Sequence, residues 1–301
     1  MIELGYACIN ETLSNKKISV NNSMIKKTFV AKGLDYCAIL IEKNLDSLEQ
    51  IVDWNESNNI KLYRTSSDMF PWMSEYEISD LPNYNFIKRK LKCIGDKVKE
   101  YGHTLETHPG QYVVLASATQ KVIDKSIKEL NQHAEIFDLM GMPLDGFANI
   151  NIHVGSTRAG DKQLALDTWI DSYHRLNDSV KKRITLENDD KQAMFTIQDL
   201  MYVHNEIGIP LVFDSLHFDC HNDGYSYEET FDLAYSTWDK DIIPLCHHSS
   251  SKQIWEDSEM NNKRAHSEYL YEPFNNADKP VRVMLECKKK EIALLDYRKK
   301  F

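Results

Sequence analysis

The chain has 301 residues, 42% of them hydrophobic and 10% aromatic, the balance of an ordinary globular protein with one barrel-sized domain. Thirty-six Lys and Arg against 46 Asp and Glu give a formal charge of −10. Taken alone, that charge speaks against a polyanionic partner, although bound cations reverse the sign of a cleft where it matters. The six cysteines (Cys8, Cys37, Cys93, Cys220, Cys246, Cys287) include no C-x-x-C pair, which excludes a zinc ribbon and argues for reduced thiols over a disulfide framework. No run approaches the roughly 18 apolar residues of a membrane span, and the first residues lack the basic start and apolar stretch of a signal peptide. The expectation is a protein without a membrane partner, cytoplasmic and nucleoid-associated, or nuclear in a eukaryote.

Strand-like and helix-like segments alternate along the whole sequence, the pattern of a βα repeat. Ile2–Cys8 reads as the first strand, followed by helices over Asn22–Leu34 and Asp35–Asn58. A second strand at Ile60–Arg64 leads into a loop rich in Ser, Pro and Asp, then a helix over Asn85–Tyr101 that stops at Gly102. Further strands are expected at Thr104–Thr107, Ala148–His153, Arg183–Glu187, Pro210–Asp214, Ile242–Cys246 and Val281–Glu286. Helices are expected at Gln120–Met140, Asp161–Lys181, Ile197–Ile207, Tyr227–Thr237, Arg264–Tyr271 and Lys288–Lys300. Eight strands is the closing number of an α/β (β/α)8 TIM barrel. With no low-complexity linker, residues 1–301 are expected to form a single domain.

Six of these apolar runs end on, or lead directly into, a side chain that binds metals: His108, His153, Glu187, Asp214, His247 and Glu286. A parallel barrel brings the carboxyl ends of all its strands to one face, so three imidazoles and three carboxylates would converge there. His217, three residues after Asp214, and His266 in the seventh loop add two more donors. Neutral imidazoles with ionised carboxylates suit manganese, zinc or iron in a hydrolytic centre. Glu187, central in strand order, is the candidate bridge, and Glu187, His247 and Glu286 are the candidate catalytic set. A single histidine at a strand end is more often a hydrogen-bonded structural residue, but core packing does not explain six such ends in register. His103, His133, His174 and His204 are expected at the surface, and His248 should face away from His247 across the pleat. His221 stays ambiguous, and the Lys288–Lys290 run reads as a solvated helix start.

These residues resemble the UV damage endonucleases, a DNA-repair family with the endonuclease IV and xylose isomerase barrel. The matching stretches are Gly5–Asn10 (GYACIN), Ser66–Pro71 (SSDMFP), His108–Tyr112 (HPGQY), Asn151–Gly155 (NIHVG), Leu186–Asn188 (LEN), Phe213–His217 (FDSLH), His247 with Ser249 and Ser250, Ala265–Ser267 (AHS) and Met284–Lys288 (MLECK). They span the chain from its first strand to its last. The resemblance implies hydrolysis of the phosphodiester immediately 5′ of cyclobutane pyrimidine dimers and 6-4 photoproducts, leaving 3′-hydroxyl and 5′-phosphate ends. It implies two to three divalent ions, usually Mn²⁺ with Zn²⁺ or Mg²⁺ as other candidates, on His108, His153, Glu187, Asp214, His217, His247, His266 and Glu286. The partner would be lesion-containing double-stranded DNA bound by a monomer. Gln111 and Tyr112 would probe the duplex, and Tyr6 and Asn10 would line the pocket for damaged bases. Two positions depart from the family pattern. Leu245 stands where the family has a lysine, and Ser74–Glu75 where it has a histidine that Glu75 could partly replace. An abasic-site endonuclease, a sugar isomerase or epimerase of the same barrel, or a lesion binder without catalysis are the competing readings.

Overall fold

The computed structural model describes residues 2–301. Eight parallel strands close into a barrel in chain order: β1 (Ile2–Ala7), β2 (Leu62–Thr65), β3 (Thr104–Thr107), β4 (Ala148–Ile152), β5 (Ile184–Glu187), β6 (Leu211–Asp214), β7 (Leu245–His248) and β8 (Val281–Leu285). β1 pairs with both β2 and β8, and closure removes the unpaired backbone edge that an open sheet would expose. The helices are α1 (Glu11–Ser14), α2 (Lys26–Ser57), α3 (Tyr84–Glu100), α4 (Gln120–Met140), α5 (Lys162–His174), α6 (Asp178–Lys181), α7 (Ile197–Ile207), α8 (Ser215–Cys220), α9 (Tyr227–Ser236), α10 (Lys252–Trp255) and α11 (Lys290–Lys300).

The (β/α)8 expectation holds, and the boundary differences have local causes. β1 stops at Ala7 because Cys8 takes a positive φ of 66°. β7 starts at Leu245, three residues later than expected, because Pro244 has no N–H to give the ladder. The two helices read before the second strand run together as α2, with a kink at Gly33 (φ 62°). The segment expected as one helix over Asp161–Lys181 breaks after His174, where Asn177 caps α6 by accepting from Val180 N at 2.8 Å. Arg264–Tyr271 is not helical. Its backbone is tied to the loop after β7 by a bridge between Ser251 and His266 and by Ser267 N donating to Ser250 O at 2.9 Å.

Paired residues of a parallel sheet share a face, so register identifies the barrel interior. Ala7 pairs with Arg64, Arg64 with Glu106, Glu106 with Asn149, Asn151 with Thr185, and Asp214 with His247. The interior is therefore polar, with a small apolar cluster of Ala7, Leu62, Val212, Trp238, Leu245 and Met284. The large core lies outside, between strands and helices. α3 buries Ile87, Leu91, Ile94 and Val98 at helical spacing, and α4 buries Ile123, Ile127, Leu130, Ala134 and Phe137.

α3 and α4 approach so closely at Gly95 that a Cβ there would lie 1.9 Å from the Met140 carbonyl oxygen. Backbone cannot yield as a side chain does, so Gly95→Ala should lower stability by about 2–3 kcal/mol. A lowered urea midpoint with an unchanged m-value checks it, and an unchanged midpoint would refute it.

Candidate metal centre

Glu187, at the end of β5, is 1% exposed. Its Oε2 lies 3.3 Å from His108 Nε2 and 3.5 Å from His153 Nε2, both just past their strands. Its Oε1 lies 3.3 Å from His217 Nδ1 and 3.0 Å from His247 Nδ1. Asn151 orients the carboxylate by donating to Oε2 at 2.5 Å, and is itself fixed by Thr185 Oγ1 donating to Asn151 Oδ1 at 2.8 Å. Asp214 closes β6 and caps α8, its Oδ1 accepting from His217 N at 2.8 Å. Asp214 Oδ2 is buried and has no partner among the described residues.

Two compact donor groups result, His108–His153–Glu187 and Glu187–Asp214–His217, with the donor atoms of each within 4.8 Å of one another. They share Glu187. On the other flank, Glu286 Oε1 is 3.3 Å from His247 Nδ1. His266 donates from Nδ1 to the Glu286 carbonyl at 2.5 Å, which leaves its Nε2 lone pair free. All eight residues expected as metal donors thus lie at one mouth of the barrel.

The other expected site residues are placed differently. Gln111 and Tyr112 sit at the tip of the β3–α4 loop, Tyr112 81% exposed. Tyr6 and Asn10 are buried. Strand alternation turns Tyr6 outward from the barrel, where its hydroxyl donates to Asn55 Oδ1 at 2.7 Å and accepts from Asn10 Nδ2 at 2.8 Å. Asn10 also caps α1. Leu245 is buried in the interior cluster two residues below His247, and Glu75 is turned away, pairing with Lys125 on α4 at 3.0 Å. His248 faces outward as expected, within 2.7 Å of Ser215 Oγ and packed on Phe274. His221 pairs with Asp223 at 3.2 Å. Of the four histidines expected at the surface, His174 is exposed and His204 half-buried. His103 and His133 are buried instead: His103 meets Glu56 at 3.0 Å, and burial pushes the His133 imidazole down to about 3.

Arg64 and Glu106, absent from the sequence reading, belong to this centre. Both are buried, Arg64 pairs with Glu106 at 3.0 Å and also with Glu286, and both reach His247. The usable signal was a charged residue at an inward strand position, two before His108 in one case.

Burial opposes the ionisation of Glu187, but His247, His153 and His108 outweigh it and hold the carboxyl well below its ordinary range. Burial likewise opposes charge on His217, yet Asp214, Glu187 and Glu286 lift its imidazolium to about 9. In the metal-free protein, stability from charged His217 is complete below the ordinary value near 6.5 and is lost as pH rises through about 9. A cation taking this ring must displace the proton. Affinity at the Asp214–His217 group should therefore climb up to about tenfold per pH unit until pH 9. Calorimetry at pH 7.5 in buffers of different ionisation enthalpy should show about one proton released per ion there; no release would contradict it.

The sequence matches the UV-endonuclease UvdE family over residues 2–301. It is 34% identical over 242 residues to the UV DNA damage endonuclease of Clostridium perfringens, covering 80% of this chain and 56% of that one. It is 35% identical over 311 residues to the UV-damage endonuclease of Schizosaccharomyces pombe, covering 99% of this chain and 50% of that one. The chain thus spans about half the length of these two relatives. The crystal structure of SacUVDE superposes with a TM-score of 0.85 at 28% identity, covering 100% of both chains. With one buried carboxylate shared among histidines at the barrel mouth and a match from the first strand to the last residue, this chain belongs to the UvdE family of UV endonucleases.

Proposed function

We propose that the chain is a metal-dependent UV-damage endonuclease that hydrolyses the phosphodiester immediately 5′ of a photolesion in duplex DNA, leaving 3′-hydroxyl and 5′-phosphate ends. Cyclobutane pyrimidine dimers and 6-4 photoproducts are the intended lesions. The observation that carries this reading is the sharing of Glu187 by two donor groups, in a member of a UV-endonuclease family.

The residues fit divalent cations. Asp214 Oδ2 is a buried carboxylate oxygen without a partner, a costly arrangement unless a cation takes it. His108, His153 and Glu187 would hold one ion and Glu187, Asp214 and His217 a second, with His247, His266 and Glu286 available for a third. Bound there, Mn²⁺ (or Zn²⁺ or Mg²⁺) would supply positive charge to the phosphoryl oxygens and acidify water for in-line attack. The chain's own part is to keep these lone pairs aimed at one point. Asn151 holds Glu187, Asn188 holds Asp214 N through Oδ1 at 2.8 Å, and the Glu286 carbonyl holds His266.

Recognition falls to the Gln111–Tyr112 tip, three and four residues beyond His108. A cross-linked pyrimidine pair stacks poorly, so extruding it costs less than extruding normal bases. An exposed aromatic with a neighbouring amide can fill the hole by stacking and hydrogen bonding. Tyr6 and Asn10 serve the lesion pocket from behind, by fixing the β1–α1 turn. A sugar isomerase or epimerase would have no use for this tip. One chain acts on the duplex as a monomer, in the cytoplasm or a nucleus.

The direct test is nicking of supercoiled plasmid with and without Mn²⁺. Mn²⁺-stimulated nicking of UV-irradiated plasmid is expected, with intact plasmid spared. Nicking of abasic plasmid alone would redirect the reading to an abasic-site enzyme, and nicking of none would abandon a nuclease. Glu187→Gln should cut nicking by more than about a hundredfold, since it removes a ligand shared by both groups rather than a supporting contact, with the melting transition retained. Tyr112→Ala should lower affinity for irradiated duplex by roughly 10–100-fold, the worth of about 1–3 kcal/mol of stacking, and leave Mn²⁺ affinity alone. Equal loss on damaged and undamaged duplex would count against a probing role.

A further inference from the structure

We propose that Glu106 is a positioning residue of the metal centre: its carboxylate takes the Nε2–H of His247 and so commits Nδ1 of that ring to the ion. The inference rests on the metal-centre reading above. Glu106 lies in the middle of β3, points into the barrel and is 0% exposed. Its Oε1 spans the interior to reach His247 Nε2 on β7 at 3.1 Å, although β3 and β7 are not neighbours in the sheet. The same oxygen is 3.0 Å from Arg64 Nη2. Its Oε2 has no partner among the described residues, so Arg64 and His247, helped by His108, offset the burial of this charge.

The two nitrogens of His247 face different surroundings. Nδ1 looks toward the candidate ligands, 3.0 Å from Glu187 Oε1 and 3.3 Å from Glu286 Oε1. Nε2 looks into the barrel, where Glu106 is the acceptor in reach and Arg64 Nη2 stands 2.9 Å away, closer than its 3.4 Å from Nδ1. An imidazole that ligates through one nitrogen carries its proton on the other, and the acceptor beside that proton fixes the tautomer. A guanidinium only donates. With Glu106 present, Nε2–H has its acceptor, and Arg64 spends its hydrogens on Glu106 and Glu286. Without Glu106, Arg64 would donate to a bare Nε2 and drive the proton to Nδ1. The ring would then donate to Glu187 instead of ligating. Glu106 thus keeps Arg64, needed to neutralise Glu286, from selecting the wrong tautomer.

The test measures Mn²⁺ binding to the full chain by the electron paramagnetic resonance signal of free Mn²⁺. Glu106→Leu should weaken one ion by about 10–100-fold, the usual effect of losing such a support, and leave the tighter binding unchanged. Glu106→Gln, whose amide oxygen still accepts from Nε2–H, should restore affinity to within about threefold of wild type. In a His247→Ala background, Glu106→Leu should add less than about a twofold change, because the pair acts as a unit. Unchanged affinity in Glu106→Leu, or an equal loss with and without His247, would overturn the inference. A variant-free check is the nitrogen NMR spectrum of the Zn²⁺-loaded wild-type chain: His247 protonated at Nε2 supports the proposal, and protonation at Nδ1 overturns it. A wild-type chain that binds neither Mn²⁺ nor Zn²⁺ would instead overturn the metal reading beneath it.

Discussion

The constraint on which this molecule depends is a buried negative charge at the mouth of a parallel barrel. Glu187 sits where water is excluded, within hydrogen-bonding reach of imidazoles from the ends of β3, β4 and β7 and from α8. Removing a carboxylate from water costs several kcal/mol unless opposite charge and hydrogen bonds replace the solvent. The barrel supplies that replacement geometrically, because parallel strands deliver their carboxyl ends to one face. Every donor but His266 is attached to a strand or to the first turn after it, and His266 is bridged to Ser251 just past β7, so the cluster inherits the rigidity of the sheet.

Housing such a cluster changes what the barrel interior is made of. Barrels of this kind commonly fill their centre with layers of branched aliphatic side chains. Here the inward positions hold Arg64, Glu106, Asn149, Asn151, Thr185 and Arg282, and the apolar part shrinks to six side chains. The hydrophobic driving force moves outward, to the layer where amphipathic helices cover the strands. Polar groups inside remain tolerable because they satisfy one another, as Thr185 does Asn151 and Asn151 does Glu187. Leu245 belongs to this economy: it packs against Leu62, Val212 and Met284 beneath the donors.

On the proposed function, the acidic chain and a polyanionic substrate would be reconciled at the same place. A formal charge of −10 would repel a duplex at long range, and divalent ions held at the carboxylates would reverse the sign of the local potential. The exposed Tyr112 stands a few residues from His108 on the same loop. The proposed chemistry and recognition would then be joined through a short stretch of backbone, with His108 anchored at the strand end and Tyr112 at the tip.

Much of this was legible in the sequence. The eight strands were, because alternating short apolar runs and 3.6-periodic segments are local signals, and so were six of the eight donors, because each closes an apolar run. Features set by contacts between distant segments were not. The loop around His266 looked helical until its backbone bridged to Ser251, and His133 looked exposed until α4 turned it against Thr107. Tyr6 matched a lesion-contacting position, yet alternation along β1 aims it at Asn55 on α2. Arg64 and Glu106 passed as ordinary charged residues, since their importance comes from meeting His247 across the barrel. The sequence by itself determined which side chains stand at strand ends, because periodicity is written residue by residue. Only the tertiary structure decided which of them share an atom's neighbourhood, because closure of the sheet brings together residues far apart in sequence, 183 positions in the case of Arg64 and His247.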